Sequence, residues 1–298
     1  MSDPLARLAG APITWGVCEV PGWGWQLRSE RVLGEVAALG LRAVELGPHG
    51  FLPDDPGEVA RTLQRHDLRL AAGFVPAVLH RPHARPAELG RVAAAAEMLA
   101  LAGADMLVLA AALDSGDRGG YDRSADLLEA EWKAMMEGLD QAREIAARQR
   151  LPLALHPHYG TAVEGREHVQ RVIAVSDVAL CVDTGHLLVG GTDPVEVVRA
   201  ANGRVAHVHF KDVDAALAAR VRGGEIGYRE AVTRGLYRPL GEGDVDIATV
   251  VRLLEAAGYQ GWYVLEQDVV LDAEPAPGDG PATAAARSVD YLTRIMRR

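Results

Sequence analysis

The sequence predicts an α/β protein, a single (β/α)8 barrel formed by residues 1–298, and three observations predict it. Short apolar runs alternate with longer helical patterns eight times along the chain, as parallel β/α units do. A length of 298 residues matches one such barrel, so no second domain is needed. Ligating and titratable side chains recur where the apolar runs end, which is where a barrel of this type collects its chemistry. Eight copies of one unit also favour a closed sheet over an open edge.

Strands are expected near residues 12–15, 43–46, 70–74, 106–110, 152–156, 179–183, 205–209 and 262–266. The clearest helical pattern covers 124–149, where Leu127, Leu128, Trp132, Met135, Met136, Leu139, Ile145 and Ala146 recur at helical spacing. Residues 86–101, 247–257 and 282–296 read the same way. Gly40, Gly103 and Gly258 stand between a helix and a strand, as a left-handed C-terminal cap requires. The organising stretch is CVDTGHLLVGG at 181–191, an apolar run that ends in Asp183 and turns through Gly185 to His186. It leads into a helix with Asp193 as N-cap, Pro194 at the first position and Glu196 as the reciprocal partner of a capping box.

Two long loops follow strand ends and should overhang the mouth: GVCEVPGWGWQL after the first, and an insertion at 213–246 after the seventh, with Tyr228, Tyr237, Arg238 and GEGD. Neither GWGW nor GEGD has the spacing of a phosphate loop. Residues 273–281 (AEPAPGDGP) read as a linker.

A formal charge of −10 argues against a nucleic-acid groove, which needs clustered Lys and Arg. Cys18 and Cys181 form no paired motif, which fits a reducing compartment, and the cytoplasm is the expected location. The opening MSDPLARLAGAP lacks the apolar run of a signal peptide, and no stretch is long and apolar enough for a membrane span. The sequence leaves self-association into a homo-oligomer open.

Side chains alternate along a strand, so Cys181 and Asp183 share a face, as do His207, His209 and Lys211, and Val264 and Glu266. Charged groups on the inward face of a packed barrel are tolerated only at the open rim. Asp183, His209 and Glu266 then converge, with His156 of LALHPHYGT as a fourth donor. One such residue is as well explained by a helix cap or a rim ion pair; four at strand ends are not. Two carboxylates and two imidazoles suit Mn, Co, Fe, Zn or Mg and disfavour Ca. Lys211 is placed to polarise a carbonyl, its plain alternative being an ion pair with Asp212. Glu45 is a second candidate acid or base, and His158 and His186 are candidate proton donors or substrate contacts. Trp15, Trp23 and Trp25 offer aromatic faces to a sugar ring, or pack as a lid. Cys181 reads as a core residue.

With these residues placed, the chain resembles the xylose-isomerase-like barrel superfamily of sugar isomerases and epimerases, and within it the inosose dehydratases. The resemblance runs over nearly the whole chain, through APITWG, VELGPHGFLP, HPHYGTAVE, VDTGHLLVGGTDP, HVHFKDV, GEGDVDI and GYQGWYVLEQD. It implies a metal held by Asp183, His209 and Glu266, with His156 where the wider superfamily has Glu. It also implies a small-molecule substrate, a keto-inositol or related cyclic keto-polyol, dehydrated through an enediolate. Glu266 would double as base, Lys211 would give electrostatic support, and His158 or His186 would protonate the leaving group. Epimerisation or isomerisation of a ketose is the runner-up, and a non-catalytic sugar-binding barrel the third reading. A DNA-repair nuclease of the superfamily would need a basic face that this chain lacks. After the first strand the chain has Val17-Cys18-Glu19 instead of an Asn-Asp-Asp type segment, so Glu19, Trp23 and Arg238 become candidate substrate contacts.

Overall fold

A computed structural model of the protein describes residues 4–113 and 126–297. The barrel wall begins with β1 (Leu8–Gly10) and β2 (Ala43–Val44), followed by a strand in two parts, β3 (Arg69–Leu70) and β4 (Ala72–Ala77). It continues through β5 (Met106–Ala111), β6 (Leu153–Leu155), β7 (Ala179–Asp183) and β8 (Val205–Phe210). A short antiparallel pair, β9 (Asp212–Val213) and β10 (Tyr237–Arg238), follows β8, and β11 (Tyr263–Leu265) completes the wall. β3 pairs with β2 and β4 with β5, while β11 pairs with both β8 and β1, all parallel. Across the break, Ala71 N donates to Val44 O and Leu46 N to Ala72 O, each at 2.9 Å, so the third strand is continuous and the ring of eight closes.

The helices are α1 (Ser29–Ala38), α2 (Pro56–Gln64), α3 (Arg85–Leu101), α4 (Glu129–Arg148), α5 (Arg166–Val175) and α6 (Thr184–Val189). After them come α7 (Pro194–Ala201), α8 (Ala215–Arg222), α9 (Tyr228–Thr233), α10 (Ile247–Ala256) and α11 (Pro281–Met296). Most of the apolar core lies between helices and wall. The inner packing is built from small side chains, Ala9, Ala43, Ala71 and Val264 in one cluster and Ala72, Val108, Ala154 and Cys181 in another. Small inner residues leave space for imidazoles and carboxylates above them. Burial pushes the Cys181 thiol up to about 11, in keeping with a core residue. None of the described helices is long and apolar enough to cross a membrane.

The first strand lies earlier than expected. Pro12 has no amide hydrogen for the ladder, and residues 12–15 form a 3-10 turn instead. Ser124 falls outside the described residues, and α4 starts at Glu129 because the Glu131 carboxylate takes the Leu128 amide at 2.8 Å, leaving Leu127 and Leu128 ahead of the helix. Asp193 caps α7 through Val195 N at 2.8 Å, but Glu196 closes no capping box; it pairs with Arg166. Gly40, Gly103 and Gly258 do adopt left-handed φ values of 77°, 80° and 76°. The 213–246 insertion is folded, carrying α8, α9 and the β9–β10 pair.

Candidate active site

Asp183 ends β7 and α6 starts at the next residue, so one carboxylate has two tasks. Its Oδ1 accepts from Gly185 N and His186 N, both at 2.8 Å, capping α6. Its Oδ2 is buried without a hydrogen-bond partner. Gly185 is needed for the close approach of α6 to β8, since a Cβ there would lie 2.4 Å from Lys211 Cβ. The Thr184 hydroxyl donates to Lys211 O at 2.7 Å and accepts from Lys211 N at 2.9 Å, which fixes the end of β8. His156 follows β6 and donates Nδ1–H to Pro157 O at 2.9 Å, so its Nε2 carries the lone pair. Glu266 follows β11, held by its amide donating to Phe210 O at 3.1 Å.

These four strand ends bring four donor atoms together. His209 Nδ1 lies 2.9 Å from Glu266 Oε2, 3.4 Å from Asp183 Oδ2 and 3.1 Å from His156 Nε2, and His156 Nε2 is 3.5 Å from Asp183 Oδ2. Asp183, His209 and Glu266 each offer a donor atom within 4.8 Å of the other two, a spacing one transition-metal ion could span, while His156 reaches His209 and Asp183 from beside that trio. Asp183 Oδ2 and Glu266 Oε2 are both buried and make no hydrogen bond despite their close neighbours. Lone pairs that converge on a shared point, and not on each other, are what ligands of one ion present.

Charge leads the same way. Against the opposing effect of burial, Lys211 and His186 hold the Asp183 carboxyl well below its usual range, and His209 and Lys211 lower Glu266. Burial likewise opposes the ionisation of Glu45, and His209 and His207 overcome it. Lys211 is 1% exposed, and although burial works against its charge, Asp183, Asp268 and Glu266 hold the ammonium well above the ordinary lysine range. Four largely buried carboxylates, Glu45, Asp183, Glu266 and Asp268, outnumber the Lys211 ammonium and the raised His209 imidazole, a negative excess that a cation would offset.

Lys211 Nζ donates to Glu266 Oε1 at 2.5 Å and lies 3.1 Å from Asp268 Oδ1 and 3.2 Å from Asp183 Oδ2. The expected pair with Asp212 does not form. Asp212 points the other way and accepts from the amides of Val213, Gly241, Gly243 and Val245, which is the use of the GEGD segment. Asp268, a site residue that the sequence reading passed over, takes a hydrogen bond from Tyr228 Oη at 2.8 Å, and Tyr228 meets Tyr237 Oη at 2.8 Å. The long insertion thus buttresses the lysine side of the site.

A cavity of about 530 Å³ opens above this cluster. His156, His158, His186, His209, Lys211 and Glu266 line it, as do Glu45, Asp268, Glu19 and Trp23. His158 and His186 lie against each other, ring centroids 3.5 Å apart and planes tilted by 33°. Burial lowers both well below the ordinary histidine range, helped by each other's neighbours His156 and Lys211 for His158, and by His158 and Lys211 for His186. Neutral imidazoles take protons before they give them, so their resting state is that of a base. Trp23 is pinned over the mouth by donating Nε1–H to Val269 O at 2.8 Å. Trp15 and Arg238 are not in the lining. Trp15 is fully buried and donates Nε1–H to Glu35 at 2.8 Å, and Arg238 pairs with Asp214 at 3.1 Å. Trp25 is exposed.

The family model described as xylose isomerase-like TIM barrel matches residues 33–295. The chain belongs to that family. An inosose dehydratase of Geobacillus kaustophilus is 30% identical over 97% of this chain and 94% of its own length. The rhizopine catabolism protein MocC of Rhizobium meliloti is 31% identical over 97% of this chain and 88% of its own. Among solved structures, an IolI protein with a bound zinc atom superposes with a TM-score of 0.70 at 15% identity, covering 97% of this chain and 98% of that one. An L-ribulose 3-epimerase gives 0.71 at 15% identity, covering 98% and 95%. Within the xylose isomerase-like family this chain is an enzyme, and the fold expected from its sequence is the fold it has.

Proposed function

We propose that the chain is a metal-dependent hydro-lyase that dehydrates a keto-inositol or a related cyclic keto-polyol. The observation that carries the reading is the meeting, in one cavity, of a cluster of donor atoms, a buried ammonium and an adjacent pair of neutral imidazoles. His156, Asp183, His209 and Glu266 would hold the ion. When bound, it would supply positive charge that lowers the barrier to removing the proton α to the ketone. Lys211, fixed among Asp183, Glu266 and Asp268, adds a permanent charge beside the developing oxyanion. The His158–His186 pair takes the α-proton and returns it to the β-hydroxyl, which leaves as water. Both carboxylate oxygens of Glu266 are committed in this reading, Oε1 to Lys211 and Oε2 to the metal donors. Its part is to ligate and to anchor Lys211.

Epimerisation would need a proton carrier on each face of the substrate. The two imidazoles here lie side by side, 3.5 Å apart, which favours removal and return of a proton on one side. The reading is tested by incubating metal-loaded protein with keto-inositols and ketoses. A conjugated diketone absorbance, with loss of one water by mass spectrometry, is the expected product. An isomer of unchanged mass would overturn dehydration.

A further inference from the structure

We infer that Glu45 is a positioning residue that sets which nitrogen of His209 faces the metal donors, with His207 as the clamp that holds Glu45 in place. The inference rests on reading His156, Asp183, His209 and Glu266 as the ligand set. Glu45 lies just past the end of β2, separated from β8 in the wall by β1 and β11. Its Oε1 nonetheless reaches across to His207 Nε2 at 2.8 Å and His209 Nε2 at 3.0 Å. An ionised carboxylate can only accept, so both imidazoles donate Nε2–H to this one oxygen. A ligating imidazole is neutral and has a single N–H. Once His209 commits it at Nε2, the lone pair is on Nδ1, and Nδ1 is the atom that lies 3.4 Å from Asp183 Oδ2 and 2.9 Å from Glu266 Oε2.

His207 has no access to the donor cluster, since its Nε2 is spent on Glu45 and its side chain is 1% exposed. Its contribution is geometric. Two donors on one oxygen fix the carboxylate, where one would leave it free to swing. His207 and His209 share a face of β8, so the strand period itself places both rings against Glu45. A carboxylate behind a ligating imidazole orients the ring and raises its basicity.

The test measures binding of Mn(II) by electron paramagnetic resonance titration and the visible spectrum of the Co(II)-loaded protein. Glu45→Ala should weaken Mn(II) binding by about 10- to 100-fold and alter the Co(II) bands. Glu45→Gln should recover most of the loss, because the amide oxygen still accepts from His209. Unchanged Mn(II) affinity and an unchanged Co(II) spectrum in Glu45→Ala overturn the inference while leaving the ligand set intact. Failure of the unaltered protein to bind either ion overturns the ligand set and this inference together. Should Glu45→Ala not fold, nitrogen-15 spectra of the unaltered Zn(II)-loaded protein decide it: a proton on His209 Nε2 supports the inference, and a proton on Nδ1 overturns it.

Discussion

Strands β6, β7, β8 and β11 end in His156, Asp183, His209 with Lys211, and Glu266 with Asp268. The first half of the barrel, β1 to β5, ends in residues such as Ala11, Leu46 and Ala112. Both halves are parallel and close around the ring. What differs is the residue at the last rung or just beyond it, so the chemistry of the site is set by a handful of positions. In the first half Glu45 serves the other half by gripping His207 and His209.

The largest test of this asymmetry is Asp183→Ala, which removes a donor and the cap of α6 together. Metal retention after dialysis should be lost, and turnover should fall by about 1000-fold or more. Retention of a full equivalent of metal would break the contrast between the halves. Lys211→Met comes next. It leaves three buried carboxylates without their ammonium, at a cost of about 3–5 kcal/mol in the metal-free protein. Chemical denaturation should show that loss, with a partial recovery when divalent metal is added.

The pH dependence of stability sharpens the comparison further. His158, His186 and His207 are all lowered in the fold from 6.5, so the stability they contribute is present above that value and is lost as pH falls through their folded values. His209 is raised and acts in the opposite sense, its contribution being present below 6.5 and lost as pH rises through its folded value. The three outweigh the one on the acid side. Below the ordinary carboxylate range Glu45, Asp183 and Glu266, all lowered, add to the loss. Calorimetry of the metal-free protein should therefore give a lower midpoint at pH 5 than at pH 7, and equal midpoints would mean the buried imidazoles are not held neutral. The smallest effect is expected from Trp15→Phe, which removes the hydrogen bond to Glu35. Stability should drop by about 1 kcal/mol with no change in KM, whereas a raised KM would return Trp15 to the substrate site.

The repeated β/α pattern and the ligating residues at the strand ends were legible because strand period and barrel closure follow from local sequence. Residues that depend on distant partners were not. Glu45 reads as an acid or base until His207, 162 positions away, is seen on the same oxygen. Asp268 had a signal, since it shares a face with Glu266 in LEQD, and Tyr228 stood in a loop expected over the mouth, but the hydrogen bond between them shows only once the insertion has folded. The Lys211–Asp212 pair was excludable in advance, because adjacent strand residues point to opposite faces. Trp15 was misplaced for a local reason: Pro12 ends the ladder early and turns the following residues into the core.

Diffraction from crystals grown with Mn(II), recorded for its anomalous signal, tests the central claim most directly. The account predicts one strong peak within bonding distance of His156 Nε2, Asp183 Oδ2, His209 Nδ1 and Glu266 Oε2. A peak elsewhere, or those four atoms closed on the Lys211 ammonium with no peak between them, would contradict it.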